Sequence, residues 1–126
     1  MRPRKILTGL AMAALLLLPA SSRAAQSHSH GEEFSVRGEV LDMACYVGHG
    51  GRGADHAPCA LKCARGGQPL GLLAADGTIY LLFADHADAT AFNQTKELAG
   101  KSVEVRGALA SRSGLKGITV HAVKSF

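Results

Sequence analysis

The residues best able to do chemistry crowd into His56-Ala57-Pro58-Cys59-Ala60-Leu61-Lys62-Cys63, with a third cysteine, Cys45, a short way upstream. Pro58 presets φ for a first helical turn and Gly66-Gly67 supply a stop, so the spacing predicts about two turns of helix over Pro58 to Arg65. Residues four apart share one helix face. Cys59 and Cys63 therefore project side by side, and His56, three residues before Cys59, stands at the helix start pointing the same way. Cys45, His56, Cys59 and Cys63 make a Cys3His set that can close a tetrahedral shell around zinc or offer copper(I) its preferred thiolates, with His49 as a substitute donor. The flanks favour thiolate: Cys59 falls in the first turn, where the helix dipole and free amides stabilise negative charge, and Lys62 and Arg65 lie close by. There is no C-x-x-C pair, so the spacing is not that of a zinc finger.

The same cysteines admit two other uses. Three cysteines in an oxidising compartment cannot all pair within one chain, so at least one stays free, binds metal or bridges to another molecule. A Cys59–Cys63 disulfide is disfavoured while the helix persists, because i and i+4 β-carbons stand about 5–6 Å apart and a disulfide wants about 3.8 Å. Cys45 bridged to Cys59 or to Cys63 is the alternative; it would fasten a glycine-rich loop and contribute roughly 3 kcal/mol. A Cys59 thiolate resolved by Cys45 or Cys63 suits disulfide exchange, although the C-x-x-C and βαβ pattern of thioredoxin-like proteins are absent. The C-x-x-C-H of c-type haem attachment is absent too. No nucleophile-elbow motif organises the scattered Ser, His and Asp residues, and the glycines around His49 form no phosphate loop. Binding, rather than catalysis, is the expectation.

The compartment follows from the chain's beginning. Arg2, Arg4 and Lys5 precede an apolar run from Ile6 to Leu18, too short to span a bilayer comfortably, and Ser22-Arg23-Ala24 fits a small-x-small cut. Residues 1–24 read as a secretory signal peptide, with neither a lipobox-like cysteine nor an Arg-Arg pair. The expected product is soluble, exported unfolded by the general secretory route, in contact with a membrane only during export, secreted or periplasmic, and loaded with metal afterwards. Losing the leader removes Arg2, Arg4, Lys5 and Arg23, four of the 14 basic residues, and leaves a balance against 10 acidic ones. The formal charge of +4 is thus a property of the leader, and with no basic cluster beyond Arg52, Lys62 and Arg65 the footprint of a nucleic-acid binder is missing.

The elements that must position the cysteines can be read from periodicity. Residues 25–33, with Ser27-His28-Ser29-His30-Gly31, form a polar, flexible tail; a cut after Ala25 would put His28 third from a free amine, an arrangement that suits square-planar copper(II) or nickel(II). Phe34 to Met43 alternates as a strand, with Phe34, Val36 and Val40 on one face. From Cys45 to Gln68 the chain is loop-like apart from the cysteine helix. Leu70–Ala74 and Thr78–Phe83, apolar on both faces and so expected to sit centrally, covered on both sides, make a hairpin around Ala75-Asp76-Gly77. Asp85 can cap a helix from His86 to Ala99, ended by Gly100, with Ala89, Phe92 and Ala99 as its apolar stripe. Val103, Val105 and Leu109, then Ile118, Val120 and Ala122, alternate in two final strands. His86 and His121 fall at a surface helix position and an outward strand position; Tyr46 packs over the insertion; Asp42 caps loop backbone or supports a ligand.

Strand, strand, strand, helix, strand, strand is the order of an OB-like barrel: mainly β, five strands, one helix between strands three and four. The expected domain runs over 34–126, with the Cys/His insertion 44–68, and its short Cys-bearing helix, between strands one and two, in a loop this fold uses for ligands. The segment Leu98-Ala99-Gly100-Lys101-Ser102-Val103-Glu104-Val105-Arg106-Gly107 resembles the helix end and fourth strand of small secreted bacterial OB-fold proteins. Asp42-x-x-Cys45-Tyr46, followed by His56-x-x-Cys59-x-x-x-Cys63 and Pro69-Leu70-Gly71-Leu72-Leu73, is similar to uncharacterised secreted proteins of that shape, a resemblance that implies the fold and no particular activity. The functional expectation is binding of copper(I) or zinc, with a periplasmic protein as candidate partner; the alternative is a disulfide-stabilised binding module for a protein or small ligand, or a thiol redox protein.

Overall fold

The computed structural model describes residues 32–126. The expected signal peptide and the histidine-bearing residues 25–31 lie outside the described residues. Five strands, β1 (Glu32–Asp42), β2 (Leu70–Ala74), β3 (Ile79–Ala84), β4 (Ser102–Arg112) and β5 (Leu115–Ser125), close into a barrel in the order β1-β2-β3-β5-β4. Neighbours run antiparallel except β3 and β5, which are parallel. Helices α1 (Met43–His49) and α2 (Ala57–Arg65), with a 3₁₀ turn at Ala54–His56 between them, lie between β1 and β2, and α3 (Thr90–Lys96) lies between β3 and β4. This is the expected OB-like barrel. No helix among the described residues is long and apolar enough to cross a membrane.

Alternation explains the closure, because a period of two sends every second side chain inward. Val40, Leu72, Val103, Val105, Ile118 and Val120 are fully buried and Leu70 is nearly so. Each such burial is worth about 1.5–3 kcal/mol, so the barrel has a core without the cysteines. β1 is long enough to serve two neighbours, residues 38–42 pairing with β2 and residues 32–39 with β4. The hairpin turn between β2 and β3 is held by Asp76, whose Oδ1 accepts the Thr78 amide at 2.9 Å. Leu115 follows Arg112 after only Ser113 and Gly114, both at positive φ, the two-residue turn whose twist matches its strands.

Four expectations need correction. β3 is not buried on both faces: Tyr80 and Leu82 point inward while Phe83 is half exposed, since no helix covers that side. The strand read from Phe34 begins at Glu32 and stops at Asp42, where the side chain leaves the ladder's service to cap a helix. The stretch from Cys45, read as loop, opens in helix α1, because Asp42 supplies an N-cap and Gly50 a left-handed stop. The helix expected over His86 to Ala99 shrinks to Thr90–Lys96. Asp85 and Asp88 each accept the amide two residues on, of Ala87 at 2.7 Å and Thr90 at 2.9 Å, and these local turns compete with helix. Beyond Lys96 the backbone tightens to i→i−3 bonds, and the Gly100 amide donates to the Val40 carbonyl at 2.7 Å, tying this segment to β1.

Candidate metal centre

The insertion between β1 and β2 is zipped at its base. Asp42 pairs with Leu70 in the ladder, and the Met43 amide donates to the Pro69 carbonyl at 2.9 Å. Whatever the helices in between carry near their β1 and β2 ends is thereby drawn together. Asp42 stops the strand and starts α1, its Oδ1 accepting the Ala44 amide at 3.0 Å, which sets Cys45 on the first turn just beyond the capping carboxylate. The Gly50 amide closes α1 on the Tyr46 carbonyl at 2.8 Å with φ of 73°, and the chain reverses toward α2. The reversal is held to the barrel by Glu39, whose Oε1 accepts the Gly53 amide.

Helix α2 begins with Pro58 in its first turn, as Pro58 and Gly66 predict, and buries Ala60 and Ala64 against the barrel side. Small residues there let the helix sit close to β1 and α3. Arg65 near its end reaches Glu97 through an exposed ion pair, an interaction worth little on its own. With the alanine face inward, Cys59 and Cys63 lie on successive turns of the adjoining face, Cys59 exposed and Cys63 half-buried. His56 is the N-cap residue of α2 yet makes no side-chain cap bond, so its ring is free for other work. That ring occupies the space above Gly51: a β-carbon at Gly51 would come within 2.7 Å of both His56 Cε1 and Nε2, which only a residue without a side chain avoids.

The donors fall into two triplets that share Cys45. One ligand atom each from Cys45, Cys59 and Cys63 lie within 4.8 Å of one another, and so do one each from Asp42, Cys45 and His56. All three cysteines are free thiols in this structure. Donors held about 2.0–2.3 Å from a tetrahedral ion stand roughly 3.3–3.8 Å apart, so side-chain adjustments of about 1 Å close either triplet. His49, the substitute donor, joins neither: it is exposed, with its ring centroid 5.7 Å from that of His56 in an edge-on arrangement.

The electrostatics centre on the Asp42 carboxylate, which favours its own charged form and the neutral form of the thiols beside it. Burial pushes the Asp42 carboxyl up, but the Cys45 thiol, the Ala44 amide, the Cys63 thiol and the Cys45 amide outweigh it and hold the group below its ordinary value. The Cys45 thiol is pushed from the usual 9.0 up to about 12, first by its contact with the Asp42 carboxylate, then by burial and the Asp42 charge. Burial raises Cys63 as well, and Asp42 adds to it. Asp42 is 1% exposed and its Oδ2 has no hydrogen-bond partner; His56 Nε2 is likewise buried and unpartnered. Buried polar groups are paired in nearly all native structures, so two unpaired atoms in one cluster set this site apart.

Sequence reasoning located the cysteines and His56 but gave Asp42 only a capping or supporting part. The available signal was its place three residues before Cys45, the i, i+3 relation that puts both on one side of α1's first turn. No protein-family model, curated protein or solved structure matches this chain.

Proposed function

We propose that this is a secreted, periplasmic protein that binds a soft transition-metal ion, copper(I) or zinc, through Cys45, Cys59 and Cys63, with Asp42 or His56 beside them as further donors. The observation that carries the reading is the convergence of three thiols from two helices within 4.8 Å of one another. Thiolates are the ligands these ions prefer. The arrangement of Asp42, Cys45 and His56 does not favour a nucleophile. A reactive cysteine has a lowered pKa, whereas the Asp42 carboxylate raises Cys45. A cation reverses that logic, since it draws thiol and carboxylate alike into their charged forms.

The reduced mature protein is to be titrated with copper(I) and, separately, with zinc against a competing chelator. Tight binding, weakened in Cys45→Ser, Cys59→Ser and Cys63→Ser alike, is the expected result. Equal and weak affinity across the set overturns the reading and leaves the disulfide-stabilised binding module. That alternative is read directly from the mass of the protein taken from the periplasm and alkylated before and after reduction.

A further inference from the structure

Resting on that reading, we propose that the centre is dinuclear: a second ion of borderline character, such as zinc, sits between Asp42, Cys45 and His56, and the Cys45 thiolate bridges it to the ion held by Cys59 and Cys63. The two triplets have one member in common, and a thiolate sulfur carries enough lone pairs to bind two cations at once. A single ion in the three-sulfur pocket leaves the second triplet unexplained. Where that ion takes Asp42 or His56 as its fourth donor, the other stays buried and unpaired: Oδ2 of Asp42, which is 1% exposed, or Nε2 of His56. Among the described residues no lysine or arginine pairs with Asp42. Asp42 is thus a carboxylate held ionised by thiols and amides alone, with a buried oxygen left to meet a cation.

Ligand chemistry separates the two positions. Three sulfurs suit copper(I) or zinc, whereas a carboxylate, an imidazole and a thiolate suit zinc and similar divalent ions. Charge agrees with two ions as well. Three thiolates and one carboxylate balance two divalent cations, whereas one ion in this half-buried cluster leaves net negative charge behind. Gly51 fits the same account, since its missing side chain is what lets the His56 ring lie where it does.

The test is a count of zinc ions per chain by native mass spectrometry of the reduced mature protein, carrying His28→Ala and His30→Ala so that the tail histidines cannot contribute. Two ions are expected in this parent chain and one in Asp42→Asn, where Asn keeps the Oδ1 cap on Ala44. One is expected in His56→Ala as well, which removes a side chain that caps nothing and so keeps the test open if the Asp42 variant folds poorly. Cys59→Ser should retain one and Cys45→Ser neither. A single ion in the parent overturns the bridged pair and leaves the soft-metal reading standing. No zinc at all overturns the bridged pair and leaves the soft-metal reading to the separate copper(I) titration. Two ions retained in both Asp42→Asn and His56→Ala overturn the pair, because the second ion then lies elsewhere.

Discussion

In the metal-free protein Cys45 should be the slowest thiol, and Asp42 should be the reason. Its pKa of about 12 against the usual 9.0 cuts the thiolate fraction at pH 8, by about a thousandfold relative to an ordinary thiol. Thiolates of higher pKa are intrinsically faster, and with a Brønsted slope of about 0.4–0.5 each remaining thiolate gains roughly 15–30-fold, leaving a net slowing of about 30–60-fold. The assay is modification by a small aromatic disulfide at pH 8, quenched with acid at intervals and read cysteine by cysteine from peptide masses. The urea-unfolded chain supplies the ordinary thiol as reference. Asp42→Asn removes the largest cause of the shift, the contact with the carboxylate, and its charge as well, so Cys45 should accelerate on the order of tenfold while burial keeps it below the unfolded rate. Equal rates for Cys45 in the folded and unfolded chains, or no acceleration in Asp42→Asn, would refute the electrostatic account of the centre.

Three further outcomes follow from the same geometry. Gly51→Ala should fold with a melting temperature close to the parent's, because the backbone there is ordinary and it is the His56 ring that must move from a contact of 2.7 Å; its signature is loss of the Asp42–His56 ion with the three-sulfur ion retained, and an unchanged count would disprove it. The raised Cys45 pKa means the folded state holds a proton that the unfolded state has shed, so metal-free stability is fully present below about pH 9 and falls as pH rises toward 12; loading with metal, which replaces that proton, should abolish the alkaline loss in a denaturant titration series. Hydrogen exchange after chelation should loosen Val47 to Gly67 first, while Val103 to Leu109, inside the β4 ladders, keeps its protection; simultaneous loss in both would make the centre the nucleus of the whole domain.

What the sequence by itself determined was local. Strand alternation in Val103-Glu104-Val105 or Ile118-Thr119-Val120, the Asp-Gly turn at Gly77 and the Cys59/Cys63 face of α2 each follow from periodicity over a few residues, and each is found where the pattern puts it. Phe83 shows the limit of the same reasoning, because whether an apolar strand face is covered depends on tertiary packing, and no helix residue lines the hollow beside Phe83. The length of α3 shows a related limit: Asp85 can cap a helix in one context and form a turn in another, as it and Asp88 do here, and only the anchoring of Gly100 to Val40 decides how much chain is left for helix. The centre was divided in the same way. Cys59, Cys63 and His56 announce themselves by spacing, but Cys45 reaches them only because Asp42 pairs with Leu70 and zips the insertion at its base. The role of Asp42 depends on burial, which no local pattern encodes; a carboxylate that caps a helix with one oxygen becomes a ligand candidate when the barrel and two helices leave the other oxygen enclosed and unpaired.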